Sequence, residues 1–283
     1  MTVKIVTDST ADIPVQLAQE LEITVVPIYV RFGEKVYRDR VDISEDEFYQ
    51  RLLESPVHPA TSQPTPSDFA DVYQKLSKEA GEIVSIHLSS KVSGTYNSAL
   101  QGRELAGTKC HIEVVDSSSL SMGLGLIAMA AARLARAEKS LPEIMDEVKQ
   151  AMAGMHLLGV LDTLKYLLLG GRIGKAKALL SSVLNVKPLL TMREGELVPA
   201  GVVRTRAKGV ERLYGLVKSI LNIQEIAIVH STTPGEASSL KERIAAILAG
   251  ERIHLARLGP ALGVHGGPGT LILALREKLG SVG

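Results

Sequence analysis

Short apolar runs alternate with stretches of helical spacing along the first half of the chain. Each run is rich in β-branched residues and ends in a polar cluster, which is typical of a buried strand. Between the runs, Ser44 with Glu47 and Thr65 with Asp68 have the spacing of a capping box at a helix start. This alternation predicts an α/β fold whose N-terminal domain is of the βαβ type with a mostly parallel sheet. The runs are "VKIVTDS", "ITVVPIYV", "EIVSIHL" and "HIEVVDS".

The pattern changes near residue 150. There, "KPLLTMREGELVPAGVV" predicts a hairpin that turns at Glu194 and Gly195. We expect an N-terminal domain over 1–155 and a C-terminal α/β domain over 156–283. No low-complexity linker separates them, so we expect the domains to pack together across a ligand-binding cleft. The other elements predicted in the second half are helices over 208–221 and 236–249, the strands "EIAIVHS" and "RIHLARL", and a glycine-rich end.

Composition narrows the class of protein. The chain has 283 residues, of which 45% are hydrophobic and 22% charged, with a net charge of +1 that offers no global attraction to nucleic acid. The only cysteine is Cys110, and the N-terminus enters a strand at once, so we expect a protein of the reducing cytoplasm. Aromatic residues make up 4% and tryptophan is absent, which favours an aliphatic ligand over a stacked base.

Two glycine-rich motifs do not predict nucleotide binding. In "GLGLIA", over 123–128, the glycines lie inside an apolar helical run instead of directly after a strand, so we predict close helix packing. In "GGRIGKA", Leu169 stands where a P-loop begins with glycine, and Ala176 stands where a hydroxyl would bind magnesium. The seven histidines lack paired spacing, so we predict no metal and no cofactor.

Three polar loops remain as candidates for chemistry. Each has an ordinary explanation when taken alone: Thr61 and Ser62 can begin a turn, Ser93 can cap a helix, and His265 can be a structural hydrogen-bonding residue. The loops are "ATSQPTP" over 60–66, "SSKVSGTYNSA" over 89–99 and "GVHGGPGT" over 263–270.

Taken together, the motifs resemble those of a known family. The segments "VTDSTADIP", "TSQPTP", "SSKVSGTYNSA", "VVDS", "LLLGGRIG", "KPLL" and "HGGPG" occur in the order found in the DegV family of fatty-acid-binding proteins. The resemblance spans essentially the whole chain. It implies a two-domain α/β protein that holds one long-chain fatty acid, with the acyl chain buried and the carboxylate at the domain interface.

The resemblance also implies partners and site residues. FakB proteins of this family present a bound fatty acid to a separate fatty acid kinase, which forms an acyl phosphate for phospholipid synthesis. Thr61 and Ser93 are expected to donate to the carboxylate, and the helix start after Ser93 adds a favourable dipole. An arginine is expected near the cleft mouth, touching either the carboxylate network or the kinase. A transient contact with a membrane is also expected. The expected ligand-binding residues are Thr61, Ser62, Ser93, Gly94, His265, Arg172 and Arg204.

Elementary energetics agree with a lipid ligand. A buried carboxylate needs donors, whereas each buried CH₂ group contributes about 0.8 kcal/mol, or on the order of 10 kcal/mol for a long chain. The alternative is a serine hydrolase of lipid esters, with Ser93 as nucleophile, His265 as base and an aspartate such as Asp116. The nucleophile-elbow sequence G-x-S-x-G is missing around Ser93, so we expect a binding protein without catalytic residues.

Overall fold

The computed structural model describes residues 2–179, 186–248 and 252–279. Its strands are β1 (Val3–Asp8), β2 (Ile23–Val26), β3 (Tyr29–Phe32), β4 (Lys35–Arg38), β5 (Ala60–Ser62), β6 (Glu82–His87), β7 (His111–Asp116), β8 (Met155–Val160), β9 (Lys187–Arg193), β10 (Glu196–Val203), β11 (Ile223–His230), β12 (Arg252–Arg257) and β13 (Leu271–Glu277). Its α-helices are α1 (Val15–Glu20), α2 (Glu45–Glu54), α3 (Pro66–Leu76), α4 (Thr95–Ala106), α5 (Met122–Arg136), α6 (Leu141–Ala153), α7 (Lys165–Leu169), α8 (Arg206–Ser219), α9 (Pro234–Ala245) and α10 (Pro260–Gly266). Two 3-10 helices cover Ser9–Ala11 and Gly174–Leu179.

The first sheet confirms the predicted parallel βαβ organisation. Its strands are parallel and run in the order β2-β1-β6-β7. Strand β1 pairs with β2 on one side and with β6, which comes later in the chain, on the other side. In such a sheet the crevice at the carboxyl ends of the two central strands is where ligands bind. Here that crevice lies between Asp8 and His87.

A small second sheet differs from the prediction. The run "ITVVPIYV" is two strands, because Pro27 cannot donate to a ladder and the chain leaves the first sheet there. Strand β3 then pairs antiparallel with β4 on one side and β5 on the other. Thr61 and Ser62 therefore lie on a strand, with Thr61 opposite Val30, and do not begin a turn.

The third sheet takes its strands from the second half of the chain, in the order β10-β9-β8-β13-β11-β12. Only β11 and β12 pair in parallel among its strands. The β9–β10 hairpin confirms the predicted turn, and both turn residues have positive φ, 49° for Glu194 and 77° for Gly195. The central strand β13 was not predicted. Its leucine and alanine residues favour helix, but pairing on both sides overrides that preference.

The caps and bounds of several helices differ from the prediction in detail. Thr65 and Asp68 form the predicted capping box of α3. Ser44 accepts the Glu47 N–H as expected, but the Glu47 carboxylate pairs with Arg51 instead of returning to the cap. Helices α8 and α9 each begin two residues earlier than predicted, and the predicted end at residue 249 lies outside the described residues.

Helix α5 packs between the first and third sheets and joins them into one core. Its buried face belongs to a cluster that includes residues of β1, β6, β11 and β13. The "GLGLIA" glycines lie in this helix, as predicted: a Cβ at Gly125 would lie 2.5 Å from the Ala11 carbonyl oxygen. Each of the three sheets takes its strands from one side of residue 155. The division into domains at that position stays a prediction.

Candidate ligand-binding site

A cavity of about 410 Å³ lies at the carboxyl-end crevice of the first sheet, and we call it the head chamber. It brings together five of the seven residues predicted for ligand binding, contributed by strands, loops and helices that are far apart in sequence. Most of its hydrogen-bonding groups are hydroxyls and an imidazole. Its lining residues are Thr10, Ile28, Thr61, Ser62, Gln63, Leu88, Val92, Ser93, Arg172, Ala261, Leu262 and His265.

Thr61 and His265 are hydrogen-bonded across this chamber. Strand β5 holds Thr61, helix α10 holds His265, and the Thr61 Oγ1 atom lies 3.0 Å from His265 Nε2. The other ring nitrogen, Nδ1, has no hydrogen-bond partner among the described residues. It faces Gly170, where a Cβ would lie only 2.2 Å from Nδ1. We therefore assign the ring proton to Nε2, because only that nitrogen has an acceptor.

The electrostatics of the chamber depend on a neutral imidazole. Burial, with Arg172 and His58 nearby, lowers the pKa of His265 to about 3. At neutral pH, His265 then donates to Thr61 and leaves the Thr61 hydroxyl proton free to point into the chamber. A carboxylate entering the chamber would meet hydroxyl donors, with the positive charge supplied by Arg172.

Ser93 lies at the start of α4, where two roles coincide. The N-cap of α4 is Gly94, one residue after Ser93, which the sequence had suggested as a possible cap. The Ser93 hydroxyl nevertheless accepts the Thr95 N–H at 3.3 Å and lies 2.9 Å from Thr95 Oγ1, while the residue lines the chamber. A Cβ at Gly94 would lie 2.6 Å from the Gln63 side-chain amide nitrogen, so Gly94 leaves room for the Gln63 side chain. Gly94 itself is not among the lining residues of the head chamber.

The two predicted arginines lie in different places. Arg172 follows α7 on an exposed turn, and its Nε donates to the Val92 carbonyl at 3.0 Å, directly at the head chamber. Arg204 follows β10, whose opposite end at Glu196 borders the site. Arg204 is not among the lining residues of the head chamber, and its contact with ligand or partner stays a prediction.

A second cavity, the apolar chamber, adjoins the first and has a volume of about 480 Å³. Its walls are almost entirely hydrocarbon, and the one hydroxyl, on Thr270, already donates to the Gly266 carbonyl at 2.8 Å. It shares Leu262 and His265 with the head chamber. Its lining residues are Leu120, Leu157, Gly159, Leu161, Leu167, Leu190, Leu197, Leu258, Leu262, His265, Gly266, Thr270 and Ile272.

An outer cavity of about 690 Å³, the mouth, shares Leu262 and His265 with both chambers. Lys91, Arg172 and Lys175 give it a basic rim, and Lys175 pairs with Glu196. Leu262 and His265 therefore lie where a basic rim, a set of hydroxyl donors and an aliphatic lining meet.

Sequence reasoning missed Thr10 as a member of the head chamber. Its hydroxyl donates to Asp8, which also accepts from His87 Nδ1 at 3.0 Å, while His87 Nε2 lies 2.7 Å from Ser85 Oγ. Asp8, His87 and Ser85 thus have the order of a hydrolase triad, but all three are fully buried. The Tyr73 hydroxyl donates to Ser85 at 2.8 Å, so the array holds Thr10 in place instead of offering a nucleophile.

The predicted hydrolase triad is not assembled. His265 Nε2 contacts Thr61, and the Ser93 hydroxyl contacts Thr95. Asp116 accepts the backbone N–H groups of Ser90 and Ser118 at 3.2 and 2.8 Å. No observation of the described residues favours acyl transfer at Ser93.

Two features are absent from the described part of the chain. No group of three or more His, Cys, Asp or Glu side chains could hold a metal ion. No described helix combines the length and apolar character needed to cross a bilayer.

Comparisons with known proteins agree with the fold and the site. A family model for the DegV family, described as uncharacterised, matches residues 2–278. A fatty-acid-binding DegV-family protein from Thermus thermophilus is 33% identical, covers 98% of this chain and 100% of its own, and superposes with a TM-score of 0.88. DegV, a fatty-acid-binding protein from Bacillus subtilis, gives 30% identity, coverage of 98% and 100%, and a TM-score of 0.90. A stearic-acid-binding protein from Eubacterium ventriosum gives 28% identity, coverage of 98% and 98%, and a TM-score of 0.89.

These matches confirm the predicted α/β fold class, and the family model covers nearly the whole chain. The solved relatives are fatty-acid-binding proteins by their own descriptions. The chain therefore belongs to the DegV family.

Proposed function

We propose that this protein binds one long-chain fatty acid and presents it to a separate fatty acid kinase. The observation that carries the proposal is the junction of the two chambers. Leu262 and His265 line both of them, so a donor-rich end continues directly into an aliphatic one. A molecule with one anionic group and a long hydrocarbon tail matches that polarity.

The head chamber supplies what a buried carboxylate requires. Thr61 and Ser93 offer hydroxyl donors, His265 fixes the orientation of Thr61, and Ser62 lies on the same strand. The α4 N-terminus adds the favourable end of a helix dipole, and the Gly94 amide belongs to that turn. Arg172 supplies the positive charge.

The apolar chamber supplies the binding energy. Each CH₂ group of the ligand that is buried against the leucine walls adds about 0.8 kcal/mol to the binding free energy, whereas a polar group finds no hydrogen-bond partner there. Similarity to a stearic-acid-binding relative supports a chain of that class. The tail thus provides affinity, and the head group provides orientation.

The proposed carrier role requires a reachable carboxylate. In the kinase reaction a carboxylate oxygen attacks the γ-phosphorus of ATP, the bond from that phosphorus to the β–γ bridging oxygen breaks, and acyl phosphate and ADP result. Arg172, exposed at the mouth, is placed to contact the kinase or its phosphates. Arg204, on a distant exposed turn, is proposed as a contact for the partner and not for the ligand. Because the reaction consumes ATP, we propose the cytoplasm as its location.

Loading and unloading also require a route to lipid. Leu168 and Leu169 of α7 are 50% and 53% exposed beside the mouth. Lys165 at the start of α7 and Arg172 shortly after its end flank them in sequence, so the segment 165–172 combines apolar side chains with cations. We propose that α7 makes the transient contact with an anionic membrane surface.

The coupled reaction tests the proposal. Protein loaded with palmitic acid is mixed with a fatty acid kinase and ATP, and acyl phosphate is trapped with hydroxylamine. We expect trapped product only when both proteins are present. Ser93→Ala should weaken palmitate binding about tenfold or more, whereas Ser90→Ala, an exposed serine of the same loop, should not. Ester hydrolysis by the protein alone that Ser93→Ala abolishes would favour the hydrolase instead.

A further inference from the structure

Helix α10, which carries His265, lacks a cap of its own. Its N-cap is Gly259, followed by Pro260 and Ala261, and no side chain of the described residues caps it from the N-cap position. Two buried carboxylates from the N-terminal half face this end instead. Asp12 Oδ1 accepts the Gly259 N–H at 2.8 Å, while burial raises the pKa of Asp39 and the nearby Ala261 N–H offsets a small part of that rise.

Asp12 is the centre of this arrangement. Its side chain is fully buried, with Oδ2 accepting from Ser121 Oγ at 2.6 Å and Oδ1 lying 3.2 Å from Arg40 Nη2. A Cβ at Gly259 would lie 2.9 Å from Arg40 Nε and 3.1 Å from Asp12 Oδ1. The glycine therefore lets the ion pair approach the start of α10.

Arg40 connects the two halves of the chain. Its Nη1 donates to the Ile13 carbonyl at 3.1 Å, and its Nη2 donates to the Arg257 carbonyl at 2.6 Å, just before α10. Glu45 Oε1 lies 3.2 Å from its Nε. The guanidinium thus touches the segment after β1 and the segment before α10 at once.

Other charged groups around the pair are also held in place. Asp39 accepts from Ser9 Oγ at 2.6 Å, the Tyr49 hydroxyl donates to the Leu258 carbonyl, and Arg257 stacks over the Tyr49 ring. Buried ion pairs add little net stability compared with apolar packing. The best-attested role of buried ion pairs is to select one arrangement of the chain, and here that arrangement is the position of α10.

We propose that Asp12 and Arg40 are positioning residues for His265. His265 lies one helical turn after Ala261 in a seven-residue helix, so fixing the start of α10 fixes the 3.0 Å contact between His265 and Thr61. The pair then sets the affinity of the head chamber for a carboxylate without touching the ligand. This inference rests on the proposed function.

The test compares two ligands with one chain length. Asp12→Asn is measured by calorimetry with palmitic acid and with hexadecan-1-ol, which has the same tail and no carboxylate. We expect palmitic acid to bind about tenfold more weakly and the alcohol about threefold more weakly, because a hydrogen bond to a neutral hydroxyl is worth about half as much as one to a carboxylate. The control is Asp42→Asn, which removes an exposed Asp–Arg pair with Arg38 and should leave both affinities unchanged. Equal losses for both ligands, or no loss for either, would overturn the positioning role.

A readout without ligand separates this inference from the proposed function. Nitrogen-15 NMR of the histidine rings reports the His265 Nε2 hydrogen bond to Thr61. We expect its signal to change in Asp12→Asn and to stay unchanged in Asp42→Asn; an unchanged signal in Asp12→Asn overturns the inference. Failure of the wild-type protein to take up palmitic acid contradicts the proposed function alone.

A milder variant covers the case in which Asp12→Asn does not fold. Ser121→Ala removes one donor to Asp12 and keeps both charges. We expect the same His265 signal to shift and palmitic acid to bind about threefold more weakly, with hexadecan-1-ol affected less. Wild-type values for the signal and for palmitic acid would refute the positioning role.

Discussion

Thr61→Val isolates the contribution of one hydroxyl to the site. Valine keeps the branched shape and strand preference of threonine, and the pairing of Thr61 with Val30 uses only backbone groups. What the substitution removes is Oγ1, which contacts His265 Nε2 and faces the head chamber. The fold should therefore persist while the site changes.

The structure predicts two separate magnitudes for this variant. A hydrogen bond to a charged group is worth about 2 kcal/mol, so the affinity for palmitic acid should fall about 30-fold. A bond to a neutral hydroxyl is worth about 1 kcal/mol, so hexadecan-1-ol should lose about fivefold. The ratio of the two affinities therefore shifts by about sixfold against the acid.

The free protein should also lose stability. Thr61 is the hydrogen-bond partner of His265 among the described residues, and Nδ1 has none there. Leaving a buried imidazole without partners costs about 1–3 kcal/mol, which urea unfolding of the ligand-free protein can measure.

Calorimetry of both ligands on Thr61→Val and wild-type protein gives the affinities, with Ser90→Ala as the control for an exposed hydroxyl. Wild-type affinity for palmitic acid would refute the role of Thr61 as a carboxylate donor. An equal loss for acid and alcohol would show that the variant disturbs the apolar chamber instead.

Three further predictions concern the same site and the same buried charges. Gly170→Ala places a Cβ 2.2 Å from His265 Nδ1, so palmitic acid should bind about tenfold more weakly by calorimetry. The control Gly215→Ala, with open space around it, should only stabilise α8 by about 0.5–1 kcal/mol. Unchanged binding by Gly170→Ala would contradict the close contact. Burial raises the pKa of Asp39 from 3.8 to about 7, so the folded protein holds this proton more tightly than the unfolded chain and loses stability as pH rises from about 4 to 7. Relative to Asp39→Asn, the wild-type unfolding free energy should fall by up to roughly 4 kcal/mol over that window. A constant difference in urea titrations would argue against a raised pKa at Asp39. Arg172→Ala should reduce the coupled formation of acyl phosphate more than it reduces palmitate binding, and a wild-type coupled rate would remove Arg172 from the mechanism.

The sequence predicted those parts of the fold that local chemistry determines. The turn at Glu194 and Gly195 needs two residues of positive φ, and the Thr65 cap needs only its neighbour at Asp68. Strand β13 was missed because its leucines and alanines prefer helix until β8 and β11 pair with it. The break at Pro27 was missed because the apolar run continues through it.

The site was predictable as a set of loops and not as a geometry. Thr61, Ser93 and His265 were found through a family resemblance, and the structure brings them to one chamber. Thr10 was missed because its role depends on the returning strand β6, which no local pattern reveals. Whether Arg204 serves the ligand or the partner stays a prediction, because the sequence does not show at which end of β10 the site lies.

The leucines of the apolar chamber could not be chosen from the sequence either. Leu157 and Leu161 follow one another closely in the chain with other apolar residues between them, and periodicity separates core from surface but not core from cavity. Only the tertiary structure shows which leucines line a cavity together with Leu262 and His265 of α10.

Native mass spectrometry of the purified protein, before and after lipid extraction, measures fatty acid binding itself. One long-chain fatty acid per chain is expected as purified, lost on extraction and restored by added palmitic acid. A protein that carries no fatty acid and takes up neither palmitic nor oleic acid after extraction would contradict that expectation.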